Sequence, residues 1–364
     1  MLDLIEFVDG KMQFRLHPGQ KRAWDSVKRF VVILSGTQGG KAISLDTEIP
    51  TPNGFVRMAE IKVGDTVFDE NGRKCEVTYV SPVFIDHKCF RVTFDDGTQV
   101  VADAEHLWVT QTSRQRKNSA RRRHRKQDAE RTQMTTQAIA NSMLDYRGAL
   151  NHSITTCLPV EFQEKDLPIS PYVLGAWLGD GSSRCAQLTC ADQQILDQIS
   201  AEGEIVGHGK PSNSGKAKGY RIGGRDRQTR LATCRNVKGQ LTDSDSFQSR
   251  LRQLNVLRNK HIPDMFLFSS PLHRLSLLQG LMDTDGYFGH YCEFSNSNER
   301  LAQDVLLLVR SLGIKARLSR KITRLNGKIC QPSFRIRFCS TLPVFRLTRK
   351  LERMPKTNRP DTKR

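Results

Sequence analysis

Leu174-Gly175-Ala176-Trp177-Leu178-Gly179-Asp180-Gly181 is an apolar run with small residues on one face that ends in Asp-Gly. About a hundred residues further on, Leu278-Gln279-Gly280-Leu281-Met282-Asp283-Thr284-Asp285-Gly286 repeats the pattern. The segments downstream of the two copies repeat as well. Gln187-Leu188-Thr189-Cys190 precedes a helical stretch through Ile195 and Ile199, and Glu293-Phe294-Ser295-Asn296 precedes one through Leu301, Val305, Leu308 and Val309. Leu254-Asn255-Val256 and Leu312-Gly313-Ile314 read as matching helix exits. Each half is thus expected to run helix, strands, helix, strands, helix, a weak internal duplication. Gly175, Ala176 and Gly280 would let two helices cross with their backbones close, bringing both C-terminal ends together. Asp180 and Asp285 then become two hard oxygen ligands side by side, suited to Mg2+ and to activating water beside a scissile phosphate.

The paired motifs resemble those of the single-chain LAGLIDADG homing endonucleases, and the resemblance covers most of residues 166–350. It implies an α+β domain of pseudo-two-fold αββαββα halves, with a saddle of antiparallel strands in the major groove of double-stranded DNA. It also implies Mg2+-dependent phosphodiester hydrolysis by a monomer that acts as a pseudo-dimer. The stretch around Asn326-Gly327 fits the DNA face, with Arg317, Arg320, Arg324, Arg335 and Arg337 as DNA-binding candidates. The family's active site also uses basic residues near the metal. Lys321 is the first candidate, with Lys315 and Lys260 as rivals.

Composition agrees with a polyanion partner. The 364 residues carry a formal net charge of +19, and 37% hydrophobic content is enough for several cores. No long apolar run suggests a membrane, and the nine cysteines include no Cys-x-x-Cys pair, which favours a reducing, cytoplasmic setting over a disulfide framework or a zinc site.

Upstream, Asn53-Gly54, Asn71-Gly72 and Asp96-Gly97 are turn signals flanked by β-branched or aromatic residues. Residues 89–94 and 98–102 form the clearest expected hairpin. Val63-Gly64-Asp65-Thr66-Val67, followed by Ala102-Asp103-Ala104-Glu105-His106-Leu107-Trp108, resembles the N-terminal part of an intein, whose splicing domain is the all-β Hint horseshoe. The resemblance makes Ala42 the first intein residue and Lys41–Ala42 the scissile bond. His106 would protonate the departing amide nitrogen and Asp103 would orient the amide, with no cofactor. Ala42 has no nucleophilic side chain. A substitution that traps the precursor is the preferred reading, and direct attack by the residue after the intein is the alternative.

Residues 1–41 end in Phe30-Val31-Val32-Ile33-Leu34 and the Gly-rich run Ser35-Gly36-Thr37-Gln38-Gly39-Gly40-Lys41. They resemble the opening strand and phosphate loop of a phage terminase large subunit, with Ser35 and Ala42 where the loop needs Gly and a hydroxyl. The expected organisation is an N-extein at 1–41, the N-terminal part of the splicing domain at 42–160 with a basic insertion at 114–131, the endonuclease at 161–350, and a polar linker at 351–364. The insertion reads either as a solvated loop or as a clamp on DNA phosphates. The missing intein end implies two further partners, a C-terminal intein fragment and a C-extein. The rival readings are a non-catalytic DNA-binding protein with a degenerate endonuclease fold and a terminase ATPase fragment.

Overall fold

Ser270 caps a helix by accepting a hydrogen bond from His273 N, Pro271 supplies a pre-set first turn, and the apolar residues behind them carry the helix to Thr284. That helix and its repeat at Pro171–Asp180 are the centre of the larger part of the molecule. The computed structural model describes residues 5–8, 11–14, 31–34, 42–122, 131–211, 217–223, 246–322, 324–325, 328–329, 331–355 and 362–363. The chain divides into two units, Met1–Cys157 with Thr362–Arg364, and Leu158–Asp361. The boundary expected from the sequence was after residue 160.

The first unit is built from short hairpins. β1 (Glu48–Thr51) pairs with β2 (Gly54–Arg57), β3 (Thr66–Phe68) with β4 (Lys74–Val80), and β5 (Cys89–Thr93) with β6 (Gln99–Asp103). Gly72 (φ 75°) and Gly97 (φ 85°) occupy the left-handed conformation that the last two turns require. Val31–Leu34, the expected strand, runs parallel to β4.

β7 (Leu107–Thr112) leads into α1 (Ser113–Arg122), then come β8 (Thr132–Thr135), α2 (Thr136–Asn141) and β9 (His152–Thr155). The all-β expectation is therefore corrected by two helices. Thr135 caps α2 by accepting from Ala138 N, and α1 draws on the Arg, Gln, Lys and Ala of the basic run, which are good helix formers. Arg116 of that run donates to the carbonyls of Gln111 and Asn151, both at 2.8 Å, so part of the insertion is a structural brace and not a solvated loop. Residues 123–130 lie outside the described residues. The polar linker expected at 351–364 is also corrected at its end, since Thr362–Lys363 pairs with β9 and Lys363 sits 2.9 Å from the buried Asp96 carboxylate.

In the second unit the duplication is visible as element order. The first half runs α3 (Pro171–Asp180), β10 (Gln187–Cys190), α4 (Gln193–Ala201), β11 (Lys210–Pro211), β12 (Lys218–Arg221) and α5 (Phe247–Gln253). The second runs α6 (Pro271–Thr284), β13 (Gly286–Phe288), β14 (Cys292–Asn296), α7 (Glu299–Ser311), β15 (Ala316–Lys321), β16 (Ser333–Phe338) and α8 (Thr348–Leu351). The sheet orders β10-β12-β11 and β14-β16-β15 match, and β13 has as its counterpart the single bridge Gly181↔Leu188. This order corrects one sequence pairing. Asn255 and Gly313 are both left-handed helix exits, but they leave α5 and α7, which hold different places; the counterpart of Gly313 is Gly203 after α4.

A continuous core joins both halves, with α3, α6 and the inner faces of both sheets contributing fully buried residues such as Trp177, Leu188, Leu281, Phe294 and Ile336. The two central helices touch at their glycines. A Cβ at Gly175 would collide with the Leu277 carbonyl, and one at Gly280 would collide with the Tyr172 carbonyl and lie 2.6 Å from Ala176 N. Each obstacle is backbone, which cannot rotate away. Gly280→Val is therefore expected to cost the second unit about 3 kcal/mol or more, read as a fall in the urea midpoint at unchanged slope. Gly289→Ala, whose new methyl meets only the end of the Tyr287 ring, should stay close to wild type.

Candidate active site

α3 ends at Asp180, and Asp285 is the residue that closes α6, its N–H donating to Leu281 O. The glycine crossing brings these ends together: the Asp285 carboxyl carbon lies 3.6 Å from where a Cβ on Gly179 would stand. Asp180 is solvent-facing and Asp285 half-buried. Loss of hydration in the surrounding protein, and after it the Asp285 charge, push the Asp180 carboxyl up to about 6. Burial also raises Asp285, against the pull of an Asn296 hydrogen bond at 3.0 Å and of two lysines.

Those two lysines sit at the carbonyl ends of the two helices. Lys260 Nζ donates to Leu178 O and Gly179 O at 2.9 and 3.0 Å, beside the Trp177 ring. Lys350 Nζ donates to Met282 O, Asp283 O and Gly286 O at 2.9, 2.8 and 2.7 Å. A cation at a helix C-terminus answers the partial negative charge of unsatisfied carbonyls. Burial lowers both ammonium groups to about 8, although the Asp180 charge acts on both in the other direction, as does Asp285 on Lys260 and Asp283 on Lys350.

Lys260 was a rival on sequence. Lys321, the first choice, is corrected: it stands exposed at the end of β15 and is not among the charges acting on either carboxylate. Lys315 is not among them either. Lys350 was missed, since nothing in the local pattern of Arg349-Lys350-Leu351 marks it out.

Asp283, inside the same motif, has a different role. It is buried, accepts from Tyr172 OH at 2.9 Å and from the backbone N–H groups of Arg346 and Leu347, and so ties the segment after β16 to α6.

Strand register sorts the arginine candidates. In β14-β16-β15 the cross-strand sets Glu293–Arg337–Arg317 and Ser295–Arg335–Ser319 share a face, and Lys321 continues it. Arg320 pairs with the buried Phe334 and has the opposite parity, so it does not extend this row. Glu293 holds Arg337 at 2.7 Å and Arg335 at 3.6 Å. The side chain of Arg324 and the Asn326-Gly327 turn lie outside the described residues.

The splicing candidates are partly assembled. Asp103 N donates to Ala42 O at 3.1 Å, so residue 42 is held beside the end of β6. The buried Asp103 carboxylate accepts from Glu105 N at 2.8 Å and lies 3.4 Å from His87 Nδ1, a neighbour that sequence reasoning missed. Ala42, His87, Cys89 and Asp103 line one cleft, and His106 is not among its lining residues. His106 packs edge-on to Trp108, and its carbonyl accepts from Thr136 N. Lys41 lies outside the described residues.

Residues 273–346 match the family described as a LAGLIDADG-like domain, a span that contains Asp285 but not Asp180. The chain is 34% identical over 332 residues to the replicative DNA helicase DnaB of Mycobacterium intracellulare, covering 88% of this chain and 51% of that protein. It is 36% identical over 96 residues to DnaB of Mycobacterium leprae (strain TN), covering 26% and 14%. The chain thus spans about half the length of the first relative and less of the second. Among solved structures, the Msm DnaB1 intein splicing domain bound with zinc is 40% identical over 19% of this chain and 55% of that one, with a TM-score of 0.19. The homing endonuclease I-DmoI in complex with DNA and Mn is 12% identical over 53% and 98%, with a TM-score of 0.30.

Among the described residues no group of three or more His, Cys, Asp or Glu side chains is placed to hold a metal alone. Two adjacent carboxylates with raised pKa are nonetheless a site short of positive charge, and they suit a cation that takes its remaining oxygens from a phosphate substrate. The strain has a measurable sign. The folded Asp180 value of about 6 lies above the free value of 3.8, so its favourable share is full below 3.8 and is lost as pH rises through about 6. Asp180→Asn should therefore resist urea better than wild type at neutral pH, with the gap closing towards pH 3.8. Parallel urea melts at the two pH values test this.

Proposed function

We propose that the chain is an intein-type splicing domain carrying a LAGLIDADG homing endonuclease, and that its second unit cuts double-stranded DNA in a Mg2+-dependent hydrolysis. The observation that carries this reading is the meeting of Asp180 and Asp285 at the ends of two helices that cross at Gly175 and Gly280. The family match over residues 273–346 supports it. Asp180 and Asp285 would hold Mg2+, which when bound polarises the scissile phosphate and lowers the pKa of attacking water. Lys260 and Lys350, each anchored on helix carbonyls, offset negative charge gathered between the carboxylates and DNA. Arg317, Arg335 and Arg337, on the exposed face of the second sheet, contact the DNA. The formal charge of +19 supports such a partner. The pseudo-two-fold halves would each address one strand of the duplex, in a single monomeric chain.

In the first unit, Asp103 beside Ala42 supports the intein reading, with a Hint-type sheet and Lys41–Ala42 as the scissile bond. Without a nucleophile at position 42 the acyl shift cannot start there, so splicing from this residue is blocked. The host reading, a phage terminase large subunit interrupted after Lys41, rests on the sequence of residues 1–41, and the cytoplasmic setting on cysteine usage.

Two experiments test these readings. Mg2+ should permit cleavage of DNA spanning the uninterrupted host gene, and Asp180→Asn or Asp285→Asn should reduce the rate by about a thousandfold or more, of the order of removing a preorganised charge from an active site. A folded wild-type protein that binds this DNA but leaves it whole would favour the non-catalytic reading. Ala42→Cys should allow the acyl shift, so that an added small thiol releases residues 1–41, and an unchanged mass would count against splicing.

A further inference from the structure

The two carboxylates are supported unequally. The strand after each active-site helix can be aligned through its hydrogen bonds, since Gly181 bridges Leu188 and Gly286 pairs with Phe294. Two residues on from each partner stand Cys190 and Asn296, so these occupy equivalent positions. Local bonding agrees. Asp192 N donates to Cys190 Sγ at 3.4 Å, and Asn298 N donates to Asn296 Oδ1 at 2.9 Å. Asp192 and Asn298 in turn cap α4 and α7. Cys190 is close enough to Asp180 for the Asp180 charge to act on its thiol.

The difference is in what is left over. A carboxamide has an acceptor and a donor, and at position 296 the acceptor is used by Asn298 while Nδ2 donates to Asp285 Oδ2 at 3.0 Å. The Cys190 sulfur reproduces the acceptor half only, because its S–H is directed to Asp192 O at 3.3 Å. The Asp180 carboxylate accepts no hydrogen bond among the described residues. One carboxylate is thus held in orientation before substrate arrives, and the other must be ordered when it arrives. Fixing a charged acceptor in advance is the general means of lowering a barrier without reorganisation.

We propose that Asn296 is a positioning residue for Asp285, that Cys190 denies Asp180 the same support, and that the two DNA strands are consequently cut in a set order, the strand served by Asp285 first. This rests on the nuclease reading above. Loss of one hydrogen bond to a carboxylate corresponds to about a tenfold difference between the two strand rates.

The test uses the full chain with Mg2+ and a supercoiled plasmid carrying the uninterrupted host gene, monitoring supercoiled, nicked and linear forms and sequencing the nick. Wild type should accumulate nicked circles with the nick in one strand only. Cys190→Asn, which restores the missing donor, should shorten the life of the nicked form about tenfold while leaving the first cut unchanged. Asn296→Cys, which copies the first half and removes the donor without adding charge, should slow the first cut and bring the two rates together. A merely structural role would lower both rates alike and leave their ratio where it was. Nicks divided evenly between strands, or a rate ratio untouched by both variants, would overturn the inference while leaving the nuclease reading intact. A plasmid left wholly supercoiled by wild type would overturn both.

Discussion

Everything in the second unit depends on two backbones being allowed to touch. At Gly175 and Gly280 the facing atoms are main-chain carbonyls and amides, and a single methyl group on either residue would have to displace them. Dispersion attraction falls off within about an ångström of contact, so this closeness is also what makes the crossing tight. Its consequence reaches the far ends of the helices, where the Asp285 carboxyl is set against Gly179. The glycines are thus as much a part of the candidate site as the acids are.

Bringing two carboxylates together has an electrostatic cost, and the fold offsets part of it without removing it. Lys260 and Lys350 are each fixed by two or three helix carbonyls, so they answer the helix ends and the acids at once. Both acids still remain above their ordinary range, because loss of hydration, joined at Asp180 by the Asp285 charge, outweighs the lysine charges. A site in this condition is less stable than one whose charges balance, and a bound cation would offset the difference. Asp283, two residues from Asp285, is raised by burial as well, but it receives donors from Tyr172, Arg346 and Leu347 and ties the chain segments together.

The first unit has a smaller core, centred on Ile61, Val67, Cys75 and Val77, and relies more on turns and on polar anchors. Arg116 spans several carbonyls, and Lys363 reaches the buried Asp96, whose carboxyl is held below its usual range because hydrogen bonds from Thr98 and Lys363 outweigh burial. In this way residues that looked like loose charge in the sequence become part of the structure.

Some of this was legible from the chain alone. The Asp-Gly motifs, their small residues and the strands after them are local patterns whose periods survive in any context, and so is the Asp96-Gly97 turn, which needs a positive φ. Those patterns pointed to Asp180 and Asp285, whose helix ends the fold brings together, while Asp103, which stands beside residue 42, came from the resemblance to inteins. Other assignments depended on which distant segments meet. Lys350 enters the site from beyond the last strand, Lys321 ends exposed on β15 and is not among the charges acting on the acids, and Arg320 leaves the arginine row because a strand places successive side chains on opposite faces. Asn296 and Cys190 are the sharpest case: the sequence aligned them, but it is the hydrogen bond from Asn296 to Asp285, with none accepted by Asp180 among the described residues, that sets them apart. A pattern of residue types records what a side chain can do, and tertiary structure decides which partner it finds.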